Sequence, residues 1–185
     1  MFLKNTSETI SYGKEFAANL KPKSIVILKG PIGAGKTSFV QGIGQGLCIK
    51  EFITSPTFAL SHHYESGSMH LIHMDLYRIE SSLSAKELFI EEEEELEINK
   101  GLLIIEWPEL IEPILEIYWK IEISYADQKG RFFNIYEPKS SKNLETNFSS
   151  GCCSIAPSPK QVKRPQTLAN FILNFIFASS SRFES

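Results

Sequence analysis

The sequence predicts an α/β fold built on a mixed sheet, and three observations predict it. A short apolar, β-branched run, Ser24-Ile25-Val26-Ile27-Leu28-Lys29, leads into a glycine-rich segment and then into a stretch with helical spacing. That is the order of a buried parallel strand, a turn and a helix. A second buried-strand run, Leu102-Leu103-Ile104-Ile105, follows Gly101. Two further pairs of segments bracket short polar turns and read as antiparallel hairpins.

The elements follow in order. Asn5, with Glu8 three residues later, marks a helix start, and Ile10, Phe16, Ala17 and Leu20 are placed to face a core. Pro22 separates this helix from the strand 24–29. In the second helix Phe39, Val40, Ile43 and Leu47 recur at helical spacing, with Gly46 as an ending signal. Ser55-Pro56-Thr57 interrupts two apolar stretches as a loop. Strands at about Phe58–Tyr64 and Met69–Asp75, joined by Glu65-Ser66-Gly67-Ser68, form the first hairpin. Ser84 caps a third helix running to about Leu96, whose five consecutive glutamates, 91–95, read as a solvated face. A short helix begins at Pro108, and Pro113 ends or kinks it. The second hairpin pairs Tyr118–Ser124 with Arg131–Tyr136 across Ala126–Gly130.

The chain has 185 residues, enough for one ordinary domain with an appendage, and its 42% hydrophobic content supports a proper core. A net charge of −3 gives no electrostatic case for nucleic acid as a direct ligand. Three cysteines, Cys48 and the adjacent Cys152-Cys153, make neither a disulfide framework nor a metal spacing. With no secretory signal and no membrane-length apolar run, a cytoplasmic location is expected. From Pro138 the composition shifts to Ser, Asn and Pro, and Lys plus Arg outnumber Asp plus Glu six to two, against 13 to 20 in residues 1–137. Residues 1–137 are therefore expected to be the folded domain and 138–185 a low-complexity, disordered tail, with one short apolar helix at 167–177.

The chemistry concentrates in Gly30-Pro31-Ile32-Gly33-Ala34-Gly35-Lys36-Thr37, which fits G-x-x-x-x-G-K-[ST] without a mismatch. Between a strand and a helix this pattern is a phosphate-binding P-loop. Glycines at 30, 33 and 35 allow positive φ and close backbone approach, and successive N–H groups with the helix N-terminus favour an anion. Lys36 supplies a mobile cation for β- and γ-phosphates, and the Thr37 hydroxyl is placed to ligate Mg²⁺. A nucleoside triphosphate is the expected ligand.

Such a loop needs a carboxylate at the end of a neighbouring strand. Asp75 and Glu106 both qualify, each directly after an apolar run. Thr57 reads either as part of a plain turn or as a switch element reaching the γ-phosphate side. Arg78 is a candidate for stabilising charge on a transferring phosphoryl group, or forms an ordinary surface ion pair. His62, His63, His70 and His73 read as lining a cleft or the surface.

Four motifs in this order, Gly33-Ala34-Gly35-Lys36-Thr37, Ser55-Pro56-Thr57-Phe58, His73-x-Asp75-Leu76-Tyr77-Arg78 and Ile105-Glu106-Trp107-Pro108-Glu109, closely resemble the TsaE (YjeE) family. That family is the small P-loop ATPase of bacterial tRNA threonylcarbamoyladenosine (t6A) biosynthesis. The likeness runs from about Ser7 to Tyr136 and includes Tyr12-Gly13 and Arg131. The resemblance implies a three-layer P-loop NTPase-like sandwich, ATP and Mg²⁺ as cofactors, and the TsaB–TsaD pair as partner, with tRNA reached only through that complex. It implies an ATP-binding set of Gly30, Gly33, Ala34, Gly35, Lys36, Thr37 and Ser38. Lys36, Thr57, Asp75 and Glu106 would serve catalysis, with Thr37, Asp75 and Glu106 toward the metal and Trp107 beside the site. The family usually carries an acidic residue where this chain has Pro31. Backbone amides dominate in such a loop, so binding is expected to survive. The rival functions are a small-molecule or nucleotide kinase, disfavoured because residues 1–137 hold only two arginines, and a nucleotide-sensing scaffold without turnover.

Overall fold

A computed structural model describes residues 1–126 and 129–138. The expected tail and its apolar segment at 167–177 lie outside them. Among the described residues seven strands form one sheet: β1 (Phe2–Leu3), β2 (Ser24–Lys29), β3 (Ser61–Tyr64), β4 (Leu71–Asp75), β5 (Leu102–Glu106), β6 (Trp119–Tyr125) and β7 (Arg131–Tyr136). Their spatial order is β1-β7-β6-β2-β5-β4-β3. β6, β2, β5 and β4 run parallel, and antiparallel partners extend both edges, β3 on β4 and the β7–β1 pair on β6.

Helices α1 (Thr6–Phe16) and α2 (Lys36–Gly46) cover one face, and α3 (Ser82–Asn99) covers the other. Strand alternation divides the core accordingly. Val26, Leu28, Leu71, Leu102 and Ile104 pack with Phe16, Phe39 and Val40 on the first face. Ile27, Ile72, Met74, Leu103 and Ile105 pack with Ala85, Phe89 and Leu96 on the second. The architecture is a three-layer α/β sandwich. α1 and α2 touch at backbone level: a Cβ on Gly42 would stand 2.1 Å from the Ile10 carbonyl oxygen, and one on Gly13 would stand 2.3 Å from that of Phe39. No helix among the described residues is long and apolar enough to cross a membrane.

Most expected elements appear within a few residues of their expected limits. Asn5 caps α1 by accepting from the Glu8 N–H at 2.9 Å. α3 starts earlier than expected, because Ser81 rather than Ser84 is the cap and accepts from the Ser84 N–H. The strand expected at 58–64 begins only at Ser61. Phe58–Leu60 form a turn instead, in which Leu60 adopts φ +68° and its N–H reaches the Pro56 carbonyl. β1 carried no sequence signal, since two residues hold no alternation.

The acidic face of α3 is not uniformly solvated. Glu92 is buried and pairs with His63 at 2.8 Å. Burial first, and the nearby Glu97 and Glu116 second, push the Glu93 carboxyl above its usual range. The short helix after β5 resolves into two 3-10 turns, Pro108–Leu110 and Glu112–Ile114, each with a proline in its first positions.

Candidate functional site

The site lies at the carboxyl ends of the parallel strands, where open α/β sheets form their crevices. β2 is buried through Leu28, and its chain then turns at Gly30 (φ +148°), Gly33 (φ +75°) and Gly35 (φ +102°) before entering α2. Gly35 is the helix cap and has no side chain to satisfy the first N–H groups. Those donors therefore face outward, unsatisfied within the helix. A Cβ at Gly35 would also stand 2.5 Å from an Arg131 guanidinium nitrogen.

The Lys36 side chain folds back into the loop and donates to the carbonyls of Gly30 at 2.8 Å and Pro31 at 2.9 Å. Its ammonium also stands 4.0 Å from the centre of the Trp107 ring, a cation–π contact. Burial lowers the Lys36 pKa from its usual range, against the opposing pull of Glu106, Asp75 and Glu109.

The opposite wall comes from β4 and β5. Their parallel register sets Asp75 beside Glu106, and both carboxylates are buried at their strand ends. Glu106 Oε1 accepts from Thr37 Oγ1 at 2.9 Å and from His73 Nε2 at 3.0 Å. Asp75 accepts from Thr57 at 2.6 Å, Ser55 at 3.2 Å and the Tyr77 N–H at 2.9 Å. Trp107, directly after Glu106, is held left-handed at φ +58°, ψ +57° and packs 4.9 Å from the Tyr77 ring. A bulky residue in that region is an outlier, of the kind that clusters at functional sites.

Between the walls opens a cleft of about 380 Å³, within the usual range for small-molecule sites. Gly33, Gly35, Lys36, Thr37 and Ser38 line it from the loop, and Ser55, Thr57, Asp75, Glu106 and Trp107 from the opposite side. Two carboxylates and two hydroxyls beside a nest of N–H groups suit a hard divalent cation and an anion together.

Of the expected site residues, Gly30 turns the chain and Ala34 is buried beneath the loop. Neither lines the cleft. Arg78 is not brought to it either: its guanidinium lies 4.1 Å over the ring of Phe58, itself 85% exposed on the turn that replaces the expected strand. The arginine in the cleft is Arg131, at the start of β7. Hairpin pairing opposite Tyr125 sets its place, while the Tyr125 hydroxyl donates to the Ile32 carbonyl and ties the hairpin to the loop. Thr6 carries no local signal for this cleft, and Ser55 and Arg131 entered the family resemblance without being expected as site residues; tertiary placement brings all three here. Of the four histidines His73 departs from expectation, because it is fully buried under Glu106 rather than lining a cleft or the surface.

The family model described as threonylcarbamoyl adenosine biosynthesis protein TsaE matches residues 3–133. The chain belongs to the TsaE family. It is 38% identical over 135 residues to the tRNA threonylcarbamoyladenosine biosynthesis protein TsaE of Nostoc sp., covering 71% of this chain and 81% of that protein. The Rickettsia typhi protein of the same name is 41% identical over 125 residues, covering 64% and 84%. The crystal structure of Bacillus subtilis YdiB superposes with a TM-score of 0.58 at 32% identity, covering 72% of this chain and 80% of that one. Membership of the TsaE family carries with it a P-loop NTPase-like fold, in agreement with the sheet and loop described above.

Proposed function

We propose that this chain binds and hydrolyses ATP with Mg²⁺ and, as an accessory protein acting on a TsaB–TsaD pair, serves tRNA t6A modification. One observation carries the catalytic part: a P-loop whose Lys36 and Thr37 face two buried carboxylates across one cleft. The relatives' names support the pathway.

In this reading the triphosphate lies along the N–H groups of Gly33–Ser38, and Lys36 exchanges its two carbonyl partners for β- and γ-phosphate oxygens. Thr37, Glu106 and Asp75 are the residues that would hold Mg²⁺, whose charge would offset that developing on the phosphate oxygens. Asp75, tied to Thr57, orients the attacking water, and the 55–57 segment senses whether a γ-phosphate is present. Arg131 is placed beside Gly35, on the flank of the loop away from the carboxylates.

The deciding experiment measures ATP hydrolysis by the purified protein, alone and with TsaB–TsaD, with Lys36→Ala as control. Stimulation that vanishes in the variant is expected. Unchanged hydrolysis in Lys36→Ala removes the assignment. ATP binding without stimulation points to a scaffold or to a kinase with another acceptor.

A further inference from the structure

We propose that His73 is a positioning residue, which fixes the carboxylate of Glu106 from the core side of the cleft. The inference rests on the reading of Glu106 as a functional carboxylate, and begins from a break in the strand pattern. β4 alternates between two apolar layers. Leu71, His73 and Asp75 share the face toward α2, while Ile72 and Met74 face α3. Asp75 is at the strand end, where a carboxylate can reach the cleft. His73 is not: it lies in mid-strand beside Ile104, with no exposed surface.

An apolar side chain would complete the layer there. The imidazole instead buries one nitrogen, Nδ1, that has no partner among the described residues. Burying such a group is unfavourable, so packing does not account for the residue. Its other nitrogen does. Nε2 donates to Glu106 Oε1 at 3.0 Å, the oxygen that Thr37 Oγ1 approaches at 2.9 Å from the loop side.

Two donors on one oxygen fix the rotation of the carboxylate about its last bond. They also occupy Oε1, so that Oε2 is the oxygen left for a cation or a water. Of the two anchors, Thr37 belongs to the ligand-binding loop, whereas His73 is held by the sheet. The histidine therefore keeps Glu106 in place whatever the loop holds. Partners that orient a ligating group in this way have a recognised effect on affinity and rate.

Two substitutions test the role. His73→Leu completes the apolar layer, and His73→Gln keeps a donor at the Nε2 position. Melting temperature, ADP affinity without metal, the Mg²⁺ concentration for half-maximal hydrolysis, and kcat are measured for both. His73→Leu is expected to melt at or above the wild-type temperature and to bind metal-free ADP within about threefold of wild type, yet to lose about 10–100-fold in kcat or in apparent Mg²⁺ affinity. His73→Gln recovers most of that loss. Wild-type kcat and Mg²⁺ dependence in His73→Leu, or equal impairment in the two variants, overturns the proposal.

A ¹⁵N spectrum of the wild-type imidazole reads the contact without turnover. The proton is expected on Nε2, with a signal that moves in Glu106→Ala. A proton on Nδ1 with Nε2 bare, or indifference to Glu106→Ala, overturns the proposal even if His73→Leu does not fold. Failure of the wild type to hydrolyse ATP counts instead against the proposed function, and leaves the spectrum to decide the role of His73.

Discussion

The two walls of the cleft are made differently. One is a single stretch, Gly30–Thr37, working through backbone N–H groups and one folded-back lysine. The other is assembled from Ser55, Thr57, Asp75 and Glu106, on three separate segments, and works through side-chain oxygens held by hydrogen bonds to one another and to Thr37. Outside Lys36 and Thr37, the first should tolerate changes of side chain and fail on changes of backbone. The second should do the reverse.

The largest effect expected from breaking this contrast is on the side-chain wall. Glu106→Gln keeps shape and removes charge; hydrolysis is expected to fall about 100–1000-fold, while ADP affinity without metal stays near wild type, as calorimetry would show. Comparable losses in both would mean that Glu106 holds the loop together rather than serving the reaction.

Gly35→Ala strikes the backbone wall. Its φ of +102° opposes it, and the Arg131 guanidinium nitrogen 2.5 Å from the new Cβ would have to swing aside. A cost of about 1–3 kcal/mol is expected, read as a lower melting temperature with weakened ADP binding. A variant with wild-type stability and affinity would show that this backbone geometry is dispensable.

Thr57→Val removes the 2.6 Å bond to Asp75 without changing volume much. Hydrolysis is expected to fall about tenfold, the size of one lost hydrogen bond of about 1.5 kcal/mol to a charged partner. Nucleotide affinity should hold. An equal fall in affinity would place Thr57 in binding instead.

Lys36→Met sharpens the contrast through stability. Burial holds the Lys36 pKa below its usual range, so carrying the charge is a native-state cost, fully present below the folded pKa and relieved as pH rises through it toward the unfolded value. The variant should melt higher than wild type at neutral pH, with an advantage that shrinks in alkali. A constant advantage across pH would assign it to packing alone. The smallest effect expected is from Pro31→Glu, which puts an acidic side chain at an exposed loop position. ADP affinity should change less than about threefold, because the loop binds through amides.

The same contrast explains what the sequence disclosed. The loop was legible because its determinants are contiguous: spacing alone placed Gly30 to Gly35 after β2, with Lys36 and Thr37 opening α2. Asp75 and Glu106 were legible as the last residues of two apolar runs, since a buried parallel strand ends where its first charge appears. Arg131 was not, because hairpin register, rather than any neighbour in sequence, brings it to Gly35. Arg78, read either as a candidate for phosphoryl charge or as half of a surface ion pair, instead lies over the ring of Phe58, a contact between two loop residues that no sequence pattern announces. His73 read as one of four histidines lining a cleft or the surface, and only alternation within β4 distinguishes a buried mid-strand position from an exposed one. The turn at Phe58–Leu60 was misread as strand because apolar residues there resemble a β segment when no partner strand is in view.

The paired glycines of α1 and α2 carry an implication for how this protein can change over time. With Gly13 and Gly42 each closed off by the other helix's backbone, a methyl group at either position would demand that both helices separate. The two positions are thus a single inherited unit, and substitution at one is conditional on a concerted shift in the other helix. A chimaera that exchanges the amino-terminal helix alone should fail where one that exchanges it together with residues 36–46 succeeds, so the swappable cassette is the helix pair.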